Sequence, residues 1–419
     1  MKKFSVLLLI LSFMVIVSAY PFSFTDDSGR LIVVEKPFER VVSLYGAHSE
    51  NIYYLNGYDF LIGVSESEAF PSRLKNIQSF SYKDDVEKFI FVDPDLVIIR
   101  PMIFNRYNDL VKKLEAFGIM VVSLQPENYD DIYDYWKKLG ILIGKIDEAD
   151  ELIEEYEKKI NSLPLVKEQD FTKIFFESVH RNFRTTNKGS IADFVLRRSG
   201  LFNVADEAEQ ISMGSTIAEF SREQLIDKGE EIEYYISQKG AMNKIDKETI
   251  KKSPGFNAIK AVRNDEIIII DEKIISRPTP RIYYAVVEMY KLTHNDYFTK
   301  NYELYNDEKI TNMSFSRIII DFLKIQFKTP EYFEDEMMKN GHLFGDFEDI
   351  NYRKIEHLYA ETAFYNEIVI TEKNNFNPDR IMTSKDVSKN LERILNMKVD
   401  SNFDSNKQLI DFLKEYKGD

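Results

Sequence analysis

The residues Arg40-Val41-Val42-Ser43-Leu44-Tyr45-Gly46-Ala47-His48-Ser49-Glu50 pass from a short apolar strand, through a loop, into a helix expected to begin near Ser49 and Glu50. Further strands are predicted over 60–64, 96–99, 120–124, 174–177, 232–236 and 266–270. Helices are predicted over 110–117, 190–199, 221–228 and 282–292. Strand–helix alternation of this kind is typical of parallel sheets with helices on their faces. The sequence therefore predicts an α/β fold.

Residues 128–164 interrupt the alternation. Ile132, Trp136, Leu139 and Ile143 recur there at helical spacing, and a second helical stretch follows Gly144. We expect two αβ lobes, 20–127 and 165–295, joined by one long bridging helix. Ligands bind at the carboxyl ends of parallel strands and favour domain interfaces, so the cleft between the lobes is the expected site.

The composition narrows the classes of function. The chain has 419 residues and a net charge of −15, which argues against a nucleic-acid partner because phosphate backbones need clustered lysine and arginine. The absence of cysteine excludes disulfides, thiolate metal sites and cysteine nucleophiles. A hydrophobic fraction of 44% is ample for folded cores.

The N-terminus has the pattern of a secretory signal peptide over residues 1–19. Lys2 and Lys3 precede an apolar run from Val6 to Val17, and Ala19 ends a small-residue cleavage site. An N-terminal membrane anchor is the alternative. Tyr20 stands where a bacterial lipoprotein needs cysteine, so we expect a soluble periplasmic protein without lipid.

Four motifs occur in the order found in one known family. They are Lys36-Pro37-Phe38-Glu39-Arg40, Asp93-Pro94-Asp95-Leu96-Val97-Ile98, Ser221-Arg222-Glu223-Gln224-Leu225 and Arg277-Pro278-Thr279-Pro280-Arg281. Together they resemble the helical-backbone periplasmic substrate-binding proteins of ABC importers for siderophores, haem and cobalamin. The resemblance covers about residues 22 to 295 and leaves 296–419 outside it.

The resemblance implies a docking role for two glutamates. In relatives, one exposed glutamate on each lobe binds arginine pockets of the membrane permease, and Glu87 and Glu223 match those positions by motif. Arg–carboxylate pairing is bidentate and directional, which suits such a contact. Both residues also lie in sequences typical of capped helix starts, where the positive end of the helix dipole stabilises acidic side chains. The two interpretations are compatible.

Ligand-binding residues are expected in the loops that follow the strands. The four arginines among them would make a cationic cleft suited to an anionic ligand, such as a ferric catecholate, a citrate complex or haem propionates. Aromatic side chains there would stack on a flat ligand. The predicted ligand-binding residues are Tyr45, His48, Tyr82, Arg100, His180, Arg181, Arg184 and Arg277. Arg281 is expected to cap or pair within its own helix.

The sequence gives little support for a metal site or for catalysis. No two of the five histidines have the short spacing of a preassembled metal site. His48 and His180, in opposed loops, would be the pair to reach an iron centre or haem, but no resident metal or cofactor is predicted. The sequence contains no phosphate loop, nucleophile elbow or metalloprotease motif, so we expect no enzyme activity.

The C-terminal residues 296–419 read as a mostly helical extension. Phe315, Ile318, Ile319 and Phe322 form one apolar stripe, a second stripe begins at Val387, and a capping box spans 405–408. A short strand is expected over 367–371. Such stripes usually mark a core, so we expect a small domain packed on the second lobe or tethered beside it.

The leading function is capture of an iron complex, siderophore-like, between the lobes and its delivery to an ABC importer permease. A cobalamin- or haem-binding protein of the same class is the alternative, although the one tryptophan, Trp136, lies in the bridging helix rather than the cleft. A non-transport sensor or scaffold would need the cleft to be empty or covered by residues 296–419.

Overall fold

The computed structural model describes residues 20–66, 72–212, 215–241, 243–294, 304–327, 347, 349–350, 355–371 and 375–417. The predicted signal peptide lies outside these residues. Within them, no helix combines the length and apolar character needed to cross a membrane.

The first lobe contains a hairpin, a five-stranded parallel sheet and four helices. The elements are β1 (Phe22–Thr25), β2 (Leu31–Val34), β3 (Val41–Ser43), α1 (Gly46–Tyr54), β4 (Leu61–Ser65), β5 (Ser79–Phe80), α2 (Val86–Val92), β6 (Leu96–Ile99), α3 (Pro101–Arg106), α4 (Asn108–Ala116) and β7 (Met120–Ser123). The sheet order is β5-β4-β3-β6-β7.

Two helices then lead into the second lobe, whose parallel sheet has the order β10-β8-β12-β13. The elements are α5 (Ile132–Ile143), α6 (Ile146–Ser162), β8 (Thr172–Glu177), β9 (Thr185–Thr186), α7 (Ile191–Arg198), β10 (Leu201–Asn203), β11 (Ile217–Ala218), α8 (Arg222–Asp227), β12 (Tyr234–Lys239), α9 (Lys247–Lys251), α10 (Lys260–Arg263), β13 (Ile267–Asp271), α11 (Glu272–Ile275) and α12 (Ile282–Thr293). The predicted α/β class with parallel sheets is confirmed.

Successive residues along the strands of the first sheet pack into two different hydrophobic cores. Val41 and Ile98 join the large core between the lobes, whereas their neighbours Val42 and Val97 face the helices on the outer side of the first sheet. Such side chains are buried on both faces, as in parallel sheets covered by helices. The large core also contains residues of both sheets and of the connecting helices, so one continuous layer joins the lobes.

The connection between the lobes is helical, as expected, but the single bridging helix over 128–164 is corrected to two helices. Gly144 ends α5 in the left-handed conformation, with φ of 69°, and α6 begins two residues later. Glycine favours this ending because it has no Cβ to strain the left-handed backbone. The two helices pack against each other instead of forming one rod.

A group of buried polar contacts also connects the two lobes. Glu50 of α1 and Arg281 at the start of α12 form a two-contact ion pair at 2.6 and 2.7 Å. Beside it, the carbonyl of Pro278 accepts hydrogen bonds from Asn51 Nδ2 at 2.9 Å and Trp136 Nε1 at 3.2 Å. The expectation that Arg281 pairs within its own helix is therefore wrong, because its partner lies in the other lobe.

The described C-terminal residues form four helices, α13 (Asn312–Phe322), α14 (Ile355–Tyr365), α15 (Ser384–Leu395) and α16 (Asn406–Lys417). Their core includes Tyr284 of α12, so the extension packs on the second lobe. Lys291 of α12 is fully buried against this extension, 3.9 Å from Asp321 and 2.9 Å from the carbonyl of Ile325. Gln326 Nε2 donates to the carbonyl of Ile269 on β13, the outermost strand of the second sheet.

The predicted strand over 367–371 is wrong. Glu367 has a φ of 54°, and the amides of Glu367 and Ile368 bond back to the carbonyls of Phe364 and Ala363. This is the arrangement that terminates a helix with a left-handed residue. The apolar pair Ile368 and Val369 is buried because it covers the end of α14, not because it joins a sheet.

Candidate ligand-binding site

Tyr45 and Arg100 meet because their strands are neighbours. Tyr45 follows β3 and Arg100 follows β6, and these strands pair in parallel with Ser43 opposite Ile98. Both residues therefore lie at the carboxyl edge of the first sheet, where each precedes a helix. The guanidinium of Arg100 lies over the ring of Tyr45, 4.5 Å from its centroid. The ligand-binding role of both residues stays a prediction.

The second lobe adds Arg277 to the same ring. Its guanidinium lies 6.0 Å from the centroid of Tyr45, and the residue is 6% exposed. Burial raises the pKa of the Tyr45 hydroxyl, and the two arginines oppose that shift. We call Tyr45, Arg100 and Arg277 the cleft cluster, because it brings together residues of both lobes that the sequence analysis assigned to the cleft.

Arg277 is held by a polar chain across the second sheet. Ser276 Oγ donates to Gln238 Oε1 at 2.6 Å, and Gln238 Nε2 donates to the carbonyl of Ser178 at 3.1 Å. Ser178 follows β8, Gln238 is the penultimate residue of β12, and Ser276 follows α11, so the carboxyl edge of the second sheet holds the residue next to Arg277. Gln238 is 6% exposed and acts by holding Ser276, the neighbour of Arg277.

His48 does not face the cleft, so its predicted role as a ligand residue is wrong. The side chain is fully buried beneath Tyr45, with Nδ1 2.7 Å from the Tyr135 hydroxyl and Nε2 3.3 Å from the Ile99 carbonyl. Burial lowers its pKa from 6.5 to about 3. Because α1 begins at Gly46 and not near Ser49, His48 lies inside the helix on its inward face.

His180 belongs to a separate buried network in the second lobe. Its Nδ1 lies 2.7 Å from the carboxylate of Glu177, which also accepts from the hydroxyls of Tyr235 at 2.7 Å and Ser237 at 2.6 Å. Its Nε2 lies 3.3 Å from Ser253 Oγ. The hydrogen bond with Glu177 raises the pKa of His180. No contact among the described residues joins His180 to His48, so the predicted histidine pair is not assembled here.

Arg181 and Arg184 lie on a hairpin that follows β8. Arg181 is exposed, and Arg184 Nη2 lies 3.8 Å from Glu219. Asn182 and Phe183 between them both have positive φ, 70° and 55°. Among the described residues, neither arginine contacts the cleft cluster, so their ligand-binding role stays a prediction.

Tyr82 lies elsewhere in the first lobe. Its ring packs on that of Tyr107, with centroids 4.6 Å apart, and Lys83 lies over its face. The described residues give it no contact with Tyr45. Its predicted role in ligand binding also stays a prediction.

Glu87 and Glu223 occupy equivalent places in the two lobes. Each is the second residue of a short helix, α2 or α8, and each is exposed. The predicted capping box at Ser221 is present, with Ser221 and Gln224 bonding each other's backbone amides at 3.1 and 3.0 Å. Asp85 precedes α2 without such a side-chain bond. The position of both glutamates at helix tips fits the docking proposal.

One cavity of the first lobe has a volume of about 270 Å³. Asp27, Gln125 and Tyr135 are among its lining residues, and the hydroxyl of Tyr135 also contacts His48. Within the described residues, no group of three or more histidine, aspartate or glutamate side chains could hold a metal ion.

Sequence reasoning missed Glu50, Asn51 and Glu177. Glu50 and Asn51 lie next to each other in α1 and fix the position of the 277–281 segment. Glu177 ends a strand of apolar residues, and a single acid at such a position is the signal that could have marked it as buried and bonded.

The chain is similar to several bacterial solute-binding proteins. It is 21% identical over 288 residues to an uncharacterized ABC transporter substrate-binding lipoprotein of Bacillus subtilis, covering 67% of this chain and 87% of the relative. It is 28% identical over 263 residues to a vitamin B12-binding protein of Vibrio vulnificus, covering 60% and 89%.

A solved structure from Staphylococcus epidermidis, described as a possible iron-binding (periplasmic solute-binding) protein, has a TM-score of 0.53 and 26% identity. That similarity covers 62% of this chain and all of the other. The family model for periplasmic binding proteins matches residues 41–274, more than half of the sequence. Those residues include Tyr45 and Arg100 and end shortly before Arg277. The chain therefore belongs to the periplasmic binding protein family.

Proposed function

We propose that this protein is the solute-binding component of an ABC importer and that it captures a siderophore-like iron complex between its lobes. The cleft cluster carries the proposal, because Tyr45, Arg100 and Arg277 bring an aromatic face and two cations together from both lobes. The similarity to substrate-binding relatives supports the transport class. Such proteins bind a solute without changing it, so no catalytic step is assigned to any residue.

A haem or cobalamin ligand is the second candidate. The vitamin B12-binding relative favours cobalamin. The two arginines favour an anionic ligand instead, since guanidinium groups pair with carboxylates and similar oxyanions. Titration of the purified protein with ferric siderophores, haemin and cyanocobalamin separates these ligands. Absence of binding to all of them would contradict the transport proposal.

Delivery to the permease is assigned to Glu87 and Glu223. Both side chains are exposed, and neither forms a hydrogen bond or ion pair with another described residue. Two free carboxylates, one on each lobe, suit bidentate capture by arginines of a partner. Reversal of both charges, Glu87→Lys with Glu223→Lys, is expected to abolish uptake while leaving ligand affinity unchanged. Asp227→Lys, at an exposed position on α8, is the matched control.

We also propose that residues 1–19 direct export and are removed, leaving a protein without lipid. The chain has no cysteine to carry a lipid, although the Bacillus subtilis relative is a lipoprotein. Mass spectrometry of the mature protein from its native cells should give a chain beginning at Tyr20. A retained apolar segment would point to a membrane anchor instead.

The extension over 296–419 is proposed as a fixed part of the binding protein rather than a separate sensor. Its described hydrogen bonds and ion pairs to the second lobe are made to β13 and α12. Neither of these elements contains a member of the cleft cluster.

A further inference from the structure

Phe91 is the most exposed large hydrophobic side chain among the described residues, at 87%. It lies in α2, one residue before the last residue of that helix. An apolar side chain stabilises a fold through the area that it removes from water, so a ring left in water contributes little to the fold. Single exposed apolar residues are common on protein surfaces, so the neighbours of Phe91 decide what its exposure means.

Glu87 and Phe91 lie on the same outward face of α2. They are four residues apart, which places them one helical turn from each other, and both are exposed. Val86 and Phe89 of the same helix are buried in the outer core of the first lobe, so α2 turns its other side to the protein. The outward face therefore presents a carboxylate next to an aromatic ring.

The cation that follows Glu87 in the sequence is already engaged elsewhere. The ammonium group of Lys88 lies 2.6 Å from the carboxylate of Asp84 and 4.8 Å from the centroid of the Phe80 ring. Among the described residues, Lys88 forms its ion pair with Asp84 and not with Glu87. The charge of Glu87 is therefore left for a partner, beside the exposed ring.

The helix that carries this face is fixed at its end and in its middle. Arg40 Nε donates to the carbonyl of Asp93 at 2.7 Å, and Arg40 Nη2 donates to the carbonyl of Val92 at 2.5 Å, so the end of α2 is satisfied. Phe89 packs on Phe80 with ring centroids 4.9 Å apart. Groups that are held in place before binding lose little conformational entropy when a partner arrives.

The second lobe does not repeat the ring. Glu223 is the second residue of α8, as Glu87 is of α2, but the residue four positions later is Asp227, which is exposed. Leu225, between these two acids, is buried. The first lobe thus offers a carboxylate and a ring on its helix, whereas the second offers two carboxylates.

We propose that Glu87 and Phe91 form one docking face, in which the Phe91 ring enters an apolar hollow beside the basic site that receives Glu87 on the importer permease. The inference rests on the proposed delivery to a permease and adds an apolar anchor that only the first lobe has on its docking helix. Charge complementarity favours this occupant, because an unpaired carboxylate next to the ring calls for a basic rim. Aromatic side chains are enriched in protein interfaces. The two lobes are therefore not interchangeable on the permease.

Photochemical cross-linking identifies the partner. The full chain, with benzoylphenylalanine in place of Phe91, is illuminated in its native cells, and the cross-linked products are identified by mass spectrometry. The expected product joins position 91 to an apolar segment of an ABC permease subunit. The control places the same photoreactive residue at Leu165, which is 83% exposed between α6 and β8 and should give no such product. A cross-link from position 91 to a second copy of this chain, to lipid or to no permease subunit would overturn the proposal.

Affinity measurements separate the two parts of the docking face. The permease, purified with its ATPase in nanodiscs, is titrated with the full chain by surface plasmon resonance at low and at high salt. Phe91→Ala is expected to weaken the complex about tenfold at both salt concentrations, because ions do not screen the loss of an apolar contact. Glu87→Gln should weaken it mainly at low salt. Leu165→Ala is the matched control and should leave the affinity unchanged.

Two failures can be told apart. If Glu87→Lys with Glu223→Lys leaves the affinity for the permease unchanged, the proposed delivery through the glutamates fails. If that double reversal abolishes binding while Phe91→Ala keeps full affinity, the apolar anchor is wrong and docking by the glutamates stands. Because the Phe91 ring is exposed, Phe91→Ala should fold as the unaltered chain does, which circular dichroism checks.

Discussion

The carboxylate of Glu50 and the guanidinium of Arg281 are joined by two contacts of 2.6 and 2.7 Å, although 231 residues separate them in the sequence. Both side chains are shut off from solvent, at 1% and 0% exposure. The pair connects α1 of the first lobe to α12 of the second. Because Arg277 lies only four residues before Arg281, this pair also helps to set the position of the cleft cluster.

Glu50→Gln is expected to destabilise the protein by about 3–5 kcal/mol, because it leaves a buried guanidinium without its counter-ion. Urea denaturation measures the loss. Glu230→Gln is the control, since its ion pair with Arg263 is exposed and should contribute little. The double variant Glu50→Leu with Arg281→Met should recover much of the stability, and a double variant as unstable as the single one would contradict this account.

His48 should make the protein sensitive to acid. Its pKa is lowered by burial to about 3 in the folded state, against 6.5 when exposed, so protonation favours unfolding. The stability is complete above pH 6.5 and falls as the pH drops from 6.5 towards 3, by about 1.4 kcal/mol per pH unit from this one residue. His48→Asn should therefore flatten the pH dependence of the free energy of unfolding in that range, measured with urea. Parallel curves for both proteins would refute the assignment.

His180 should behave in the opposite way. Its hydrogen bond with Glu177 raises the pKa, so its contribution to stability is complete below pH 6.5 and is lost as the pH rises through the folded-state value. Glu177→Gln is expected to lower the titration midpoint of His180, followed by NMR of the ring protons. Glu219→Gln is the control, because that acid contacts Arg184 and not His180. An unchanged midpoint in Glu177→Gln would mean that the network does not hold the proton.

The contact between the extension and the second lobe should be cooperative. Lys291 is fully buried with Asp321, and its ammonium group lies 4.2 Å from the centroid of the Phe327 ring. Asp321→Ala is expected to cost about 3–5 kcal/mol, since it leaves the lysine buried and unpaired. Calorimetry of this variant should still show a single unfolding transition for the second lobe and the extension together. Lys398→Gln is the control, because the ion pair of Lys398 with Asp400 is exposed. Equal losses of stability in the two variants would contradict the importance of the buried contact.

Gly144 should resist substitution more than Gly118. Both have positive φ, 69° and 80°, so alanine costs about 1–2 kcal/mol of backbone strain at either position. At Gly144 a Cβ would also lie 2.8 Å from Pro37, whereas at Gly118 it would meet nothing within 4 Å. Thermal unfolding should show a larger loss for Gly144→Ala, and equal losses would show that Pro37 moves aside freely.

Local patterns were enough to name the three members of the cleft cluster as candidates, and their role in binding stays a prediction. Tyr45 and Arg100 follow strands whose apolar runs are easy to recognise, and the carboxyl ends of parallel strands share one edge. Arg277 follows the short helix α11 that comes directly after β13. His48 was misplaced because the loop after β3 is only two residues long and α1 begins earlier than its first acidic residue suggests. An error of three residues in a helix start is enough to turn a side chain from the loop to the interior.

Other features depend on contacts that no local pattern contains. Arg281 was expected to act within its own helix, because nothing near it reveals a partner more than two hundred residues away. Helix α14 was missed because it is buried on most sides, including His357, Glu361 and Thr362. A helix without a polar face lacks the periodicity by which helices are recognised.

The contact of Gln326 with the outermost strand of the second sheet has a consequence for the open edge of that sheet. An uncovered strand edge is a template on which another molecule can add a strand of its own, and proteins commonly block such edges with a loop or a helix. Here Gln326 Nε2 donates to the carbonyl of Ile269 on that strand, while Lys324 and Phe327 bond to Leu292 and Glu288 of α12. The extension therefore occupies a backbone acceptor that an added strand would otherwise use.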